Sequence, residues 1–293
     1  MARIAIVGPG AIGGSLAGWL ANAGHHELVL CTRSPFTHLS VRAPSLQFEA
    51  DLPVYTEPSE CSPVDWVILA TKTYQIEGAA AWFETLCDRA TRIAVTQNGV
   101  EHLSNLAPFF DTERVVPVVI DCPAEHLGPG RIVQHSAITM AVPANASSAE
   151  FAALFEDCDM EISLTESWVS AAWQKLCTNA AGAVSAITNR PVNVARDPAA
   201  AATMTALIRE CIEVGRAEGA VIEDSIVEYV LETQRRAPDG AMNSLHADRV
   251  AGRRMEWRAR NGVIVRLGEQ HGIATPCNRM AAELLSAIEA ANA

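Results

Sequence analysis

Two residues of this chain are suited to chemistry by type and by spacing, Lys175 and Asn179. At helical spacing they fall in the stripe Trp168, Ala172, Lys175, Asn179, Ala183, Ile187, whose other members are all apolar. An ammonium group in such a stripe is costly unless it is paired or opens onto a wet cleft. Facing a cleft, it becomes a candidate acid–base group with an amide one helical turn away. The plainer alternative is a lysine that reaches water from the edge of the stripe.

A second pattern opens the chain. The apolar run Arg3-Ile4-Ala5-Ile6-Val7 leads into Gly8-Pro9-Gly10-Ala11-Ile12-Gly13, and a helical pattern follows. Strand, glycine turn and helix in that order put bare N–H groups at a helix start, where an anion binds. Gly8 permits the turn, Gly10 lets backbone approach a pyrophosphate, and Gly13 lets helix and strand pack closely. Pro9 lacks an N–H, so the donors are expected from Gly10, Ala11 and Ile12. A plain strand-to-helix turn is the competing reading.

Three further positions extend this site. The second strand ends in Cys31-Thr32-Arg33-Ser34, without the acid that would bond a ribose 2′-hydroxyl. Arg33 and Ser34 instead suit a 2′-phosphate, which favours NADPH, unless Arg33 is an ordinary surface residue. Lys72 and Asn98 each follow the carboxyl end of a strand, the edge along which open α/β sheets bind ligands. Either one alone reads equally well as a loop residue. Glu256 reads first as an acid opening a helix, paired with Arg260 one turn on.

The elements that must position these groups follow from hydrophobic patterning. Strands are expected at 27–31, 64–70, 92–96 and 115–120, with helices at 75–88 and 100–109 between them. Runs at 131–135 and 138–142 read as a hairpin closing the sheet. From Trp168 the periodicity is helical, at 168–188, 199–218, 224–236, 245–251, 254–270 and 277–291. Pro198 and Pro276 suit first-turn positions. The expected fold is α/β: a doubly wound N-terminal sheet of the Rossmann type over 1–166, then an all-helical domain over 167–293.

Composition limits the partners. A net charge of −12 argues against nucleic acid or an anionic membrane surface, both of which need a basic face. The eight cysteines form no C-x-x-C pair, and no H-E-x-x-H occurs, so no metal site is expected. Scattered thiols, the absence of a signal-like N-terminus and of any apolar run near roughly 18 residues point to a cytoplasmic protein.

The Gly8–Gly13 turn, Thr71-Lys72-Thr73-Tyr74, Gln97-Asn98-Gly99, Trp173-Gln174-Lys175-Leu176-Cys177-Thr178-Asn179 and the segment from Ser244 to Glu256 together resemble the ketopantoate reductase (2-dehydropantoate 2-reductase) family. Asn261-Gly262-Val263 and Gly272-Ile273-Ala274-Thr275-Pro276 extend the resemblance over nearly the whole chain. It implies reduction of a small 2-oxo acid by NADPH, with Lys175 protonating the forming alkoxide. It also implies Lys72 and Asn98 against the cofactor, Asn98 reaching the substrate, and Asn179, Asn193 and Ser244 holding substrate hydroxyl and carboxylate. Glu256 would contact the cofactor or orient the substrate beside Lys175, and the helical domain would close over the sheet edge. A homodimer is compatible with this reading.

Three departures bear on substrate choice. Ala183 stands where the family often has another substrate-binding asparagine, Val194 follows Asn193 where glycine is usual, and Trp257-Arg258 follow Glu256 where an aliphatic residue and an acid are expected. Losing a hydrogen-bond donor from a polar site changes discrimination strongly. A relative acting on another oxo or hydroxy acid, or an inactive NADP-binding sensor, are therefore the alternatives.

Overall fold

Ile4 and Ile6 are buried on one side of the first strand, and Ala5 and Val7 on the other, as a sheet covered on both faces requires. The computed structural model describes residues 1–291. In chain order its first part runs β1 (Arg3–Val7), α1 (Ala11–Ala23), β2 (Glu27–Cys31), β3 (His38–Ala43), β4 (Leu46–Asp51), β5 (Val54–Tyr55), β6 (Trp66–Leu69), α2 (Ile76–Leu86), β7 (Arg92–Val95) and α3 (His102–Leu106). It continues with β8 (Val115–Pro117), β9 (Val119–Asp121), β10 (Ala124–Gly128), β11 (Arg131–Gln134), β12 (Ile138–Pro143), α4 (Ala146–Ala153) and β13 (Met160–Thr165). Helices follow: α5 (Trp168–Ala181), α6 (Ala183–Thr188), α7 (Pro198–Ala217), α8 (Ile226–Arg236), α9 (Ser244–Val250), α10 (Asn261–His271) and α11 (Pro276–Ala290).

The chain divides into two units. The first comprises Met1–Gln97 and Glu101–Trp168, and the second takes Asn98–Val100 with the chain from Val169 on. In the first, six parallel strands lie in the order β5-β2-β1-β6-β7-β8. The chain leaves β1 toward β2 and later returns to its other side at β6, so the glycine turn stands where strand order reverses. Helix α1 covers one face, with Leu16, Ala17 and Leu20 fully buried, and α2 covers the other through Trp82, Phe83 and Leu86.

Two smaller sheets complete this unit, and here the patterning misleads. Residues 131–135 and 138–142 do not form a hairpin. β11 pairs antiparallel with β10 and parallel with β3, whereas β12 pairs parallel with β13 and antiparallel with β9. The tight turn lies one strand earlier, where Gly130 at φ +68° closes the β10–β11 connection. The run 115–120 is likewise two strands in two sheets, because Pro117 has no N–H to continue the ladder.

In the helical unit, α5, α7 and α10 bury Trp173, Leu176, Cys177, Met204, Leu207, Ile208, Cys211 and Ile264 in one core. The expected helix over 168–188 breaks at Gly182 into α5 and α6. The expected helix from 254 is also corrected. Arg260 adopts φ −113° and ψ −96°, outside the helical region, so α10 starts at Asn261 and Glu256 precedes a short 3-10 turn at Trp257–Ala259. Pro198 and Pro276 do occupy first-turn positions.

Candidate active site

The glycine turn is built as its residue types require. Gly8 sits at φ +88°, and a Cβ there would lie 2.7 Å from the Thr71 side chain, so no other residue fits. A Cβ on Gly13 would meet the Gly8 carbonyl at 2.5 Å and Ile6 at 3.1 Å, which sets how closely α1 approaches β1. Beside Gly10, by contrast, the space is open to 4 Å. The donors differ from expectation by one residue. Gly10 spends its N–H on the Gly8 carbonyl at 2.7 Å, closing the turn.

The first rung of the α1 ladder runs from Gly14 N–H to the Gly10 carbonyl at 2.7 Å. Ala11, Ile12 and Gly13 therefore present N–H groups with no intrahelical acceptor, and no side chain caps this terminus. An open glycine position in front of uncapped donors fits a dinucleotide pyrophosphate. At the end of β2, Arg33 and Ser34 are exposed, and Arg33 makes no hydrogen bond or ion pair among the described residues. A guanidinium so placed fits a 2′-phosphate.

The ends of β6 and β7 are tied together. Gln97 is buried and its Nε2 donates to Thr71 Oγ1 at 3.0 Å and to the Lys72 carbonyl at 3.3 Å. His102 Nε2 donates to the Gln97 carbonyl at 2.8 Å, and the His102 ring meets Trp168 edge-on. Burial pushes the His102 imidazole down to about 4, although the hydrogen bond to Gln97 acts the other way. This bracket fixes the backbone around Lys72, which is half-buried, and leads directly into Asn98.

Asn98 belongs with the helical unit, where its Nδ2 donates to Glu256 Oε2 at 3.2 Å. Glu256 is 3% exposed and Arg260 is 2% exposed. Burial lowers the Arg260 guanidinium from its usual range, while the Glu256 and Asp248 carboxylates act to raise it. Arg260 Nη2 donates to Ser244 Oγ at 2.7 Å. One line of polar groups thus runs Asn98, Glu256, Arg260, Ser244. Of these, the strand-end pattern points to Asn98, the family resemblance adds Glu256 and Ser244, and Arg260 has only a helical pairing with Glu256. Its burial, and not its spacing, marks it.

Lys175 and Asn179 are both half-buried on α5, between buried Ala172 and fully buried Ala183. Asn243 Nδ2 donates to the Gly182 carbonyl at 3.0 Å, pinning the start of α9, and with it Ser244, to the break between α5 and α6. Asn193 lies elsewhere in the hydrogen-bond pattern: its Nδ2 donates to Asp239 Oδ1 at 2.7 Å on a 3-10 turn shared with Arg196. Trp257 donates to Glu289 Oε2 at 3.4 Å, and Arg258 lies 4.4 Å over its ring. Among the described residues no metal-ligating cluster occurs, and no helix is long and apolar enough to cross a membrane.

Residues 4–146 match the family model of ketopantoate reductase PanE/ApbA, and residues 167–289 match that of its C-terminal part. The chain belongs to the ketopantoate reductase family. A 2-dehydropantoate 2-reductase of Caulobacter vibrioides is 46% identical over 287 residues, covering 98% of this chain and 99% of the relative. One of Mycobacterium tuberculosis is 36% identical, covering 97% of each. The crystal structure of a PanE/ApbA family ketopantoate reductase from Ralstonia eutropha JMP134 superposes with a TM-score of 0.90 at 29% identity, covering 99% of each chain. The ketopantoate reductase family comprises oxidoreductases that act on CH–OH groups with a nicotinamide cofactor.

Proposed function

We propose that this chain reduces 2-dehydropantoate to pantoate with NADPH, a step toward pantothenate. The observation that carries the reading is the half-buried Asn98–Glu256 hydrogen bond, with the buried Arg260 beside Glu256 and bonded to Ser244. It supports a polar site made of the residue types a small oxo acid needs. When bound, NADPH supplies the hydride for the keto carbon. Ala11, Ile12 and Gly13 hold its pyrophosphate, Arg33 and Ser34 its 2′-phosphate, and Lys72 and Asn98 its nicotinamide half.

Lys175 Nζ delivers the proton to the forming alkoxide, and Asn179 orients the same oxygen. Ser244 and Asn193 hold the carboxylate and hydroxyl, the latter after Asn193 exchanges its bond to Asp239. Glu256 orients the substrate through Asn98. The eight free cysteines among the described residues support a reducing, cytoplasmic setting, and a homodimer is the assembly we expect. Ala183, fully buried where a further amide would serve, favours one second reading: the same chemistry on a related 2-oxo acid. Steady-state oxidation of NADPH with a panel of 2-oxo acids tests both. Highest kcat/KM on ketopantoate supports the first reading, highest kcat/KM on another oxo acid the second, and no turnover on any overturns both.

A further inference from the structure

Arg260 combines features that a merely structural arginine does not need. It is 2% exposed, its Nε is buried with no hydrogen-bond partner, and its Nη2 reaches the hydroxyl of an exposed residue, Ser244. A guanidinium can only donate, so Ser244 Oγ must accept this bond. The hydroxyl hydrogen of Ser244 is then left for something else, and it is backed by a positive charge that water does not reach. A hydroxyl polarised in this way is a stronger donor, and an anionic acceptor gains more from it than a neutral oxygen does. Because the Asn243 side chain ties the start of α9 to the Gly182 carbonyl, Ser244 stands on a segment fixed against the break between α5 and α6.

We propose that Arg260 is a positioning residue that sets specificity for the substrate's carboxylate: it fixes Ser244 as a donor and places a buried positive charge behind it. The inference rests on the reading above, in which Ser244 takes the substrate carboxylate. An arginine serving only to neutralise Glu256 and Asp248 would have no bearing on whether the substrate is charged.

The test compares kcat/KM for ketopantoate with that for its methyl ester, which keeps the ketone and loses the charge. It uses the full-length wild type, Arg260→Met, Arg260→Lys and Ser244→Ala. The wild type should favour the acid. Arg260→Met and Ser244→Ala should each lower the acid-to-ester ratio by roughly tenfold to a hundredfold, the range of a hydrogen bond to a charged group. Arg260→Lys should retain part of the ratio. Ser244→Ala removes the hydroxyl that accepts from Arg260 and reports on the hydroxyl, while Arg260→Lys keeps the charge and reports on the guanidinium where Arg260→Met fails to fold. A ratio unchanged in the folded variants, with both substrates slowed equally, overturns the inference while leaving the proposed function intact. A wild type that reduces neither compound overturns that function and the inference with it.

Discussion

Asn98 Nδ2 donates to Glu256 Oε2 at 3.2 Å, joining residues 158 positions apart in sequence. Asn98 leaves the end of β7 and enters the helical unit, where Glu256 is held in the non-helical stretch before α10. The carboxylate also acts on the buried Arg260 guanidinium. Removing it should therefore cost more than one hydrogen bond. Glu256→Ala is expected to destabilise the fold by roughly 3–5 kcal/mol, because a buried cation loses one of its two counter-charges, Asp248 being the other. Glu256→Gln, which keeps an acceptor for Asn98, should lose less. Urea denaturation of the two variants measures the difference: equal losses would remove the role given to the Asn98 hydrogen bond, and a Glu256→Gln variant as stable as wild type would remove the role given to the charge.

The glycine turn makes a sharper contrast. A Cβ at position 13 collides with the Gly8 carbonyl at 2.5 Å, whereas position 10 has open space to 4 Å. Gly13→Ala should lower the melting temperature. Gly10→Ala should leave it near wild type yet weaken NADPH binding, since the added methyl occupies the approach to Ala11 and Ile12. Thermal melts paired with fluorescence titration of NADPH distinguish the two substitutions.

Under the proposed function, cofactor choice depends on Arg33, exposed and uncommitted just past the end of β2. Arg33→Ala should raise the KM for NADPH by roughly tenfold to a hundredfold, as expected for a lost charge-assisted hydrogen bond. The KM for NADH should hardly move. Similar losses with both dinucleotides would contradict a 2′-phosphate contact.

His102 gives the fold an acid sensitivity. Burial holds its imidazole at about 4, whereas in the unfolded chain it titrates near 6.5. The unfolded state then binds more protons between these values, so stability is full above pH 6.5 and falls as pH drops toward 4. The whole interval is worth about 3 kcal/mol. His102→Gln should remove that part of the slope. Urea midpoints at pH 7 and pH 5, compared between wild type and variant, check it.

Much of this architecture is legible from pattern. The strands of the parallel sheet are continuous apolar runs, and α7 and α11 begin on prolines whose missing N–H costs nothing there. Residues 38–51 were not, because β3 and β4 alternate buried and exposed positions with many polar residues. The false hairpin arose because adjacent apolar runs look paired when the glycine that makes the real turn, Gly130, lies upstream. Among the candidate residues, Lys175 and Asn179 stand out by breaking an apolar stripe. Arg260 does not, since arginine after a turn is ordinary until its burial is known.

The proposed reaction depends most on Lys175 as the proton donor. Turnover of ketopantoate by Lys175→Ala, measured beside the dissociation constant for NADPH, tests this directly. The expected result is a kcat reduced by roughly 10²–10⁴-fold, the range for a lost general acid, with NADPH binding unchanged. Turnover near the wild-type rate would contradict it.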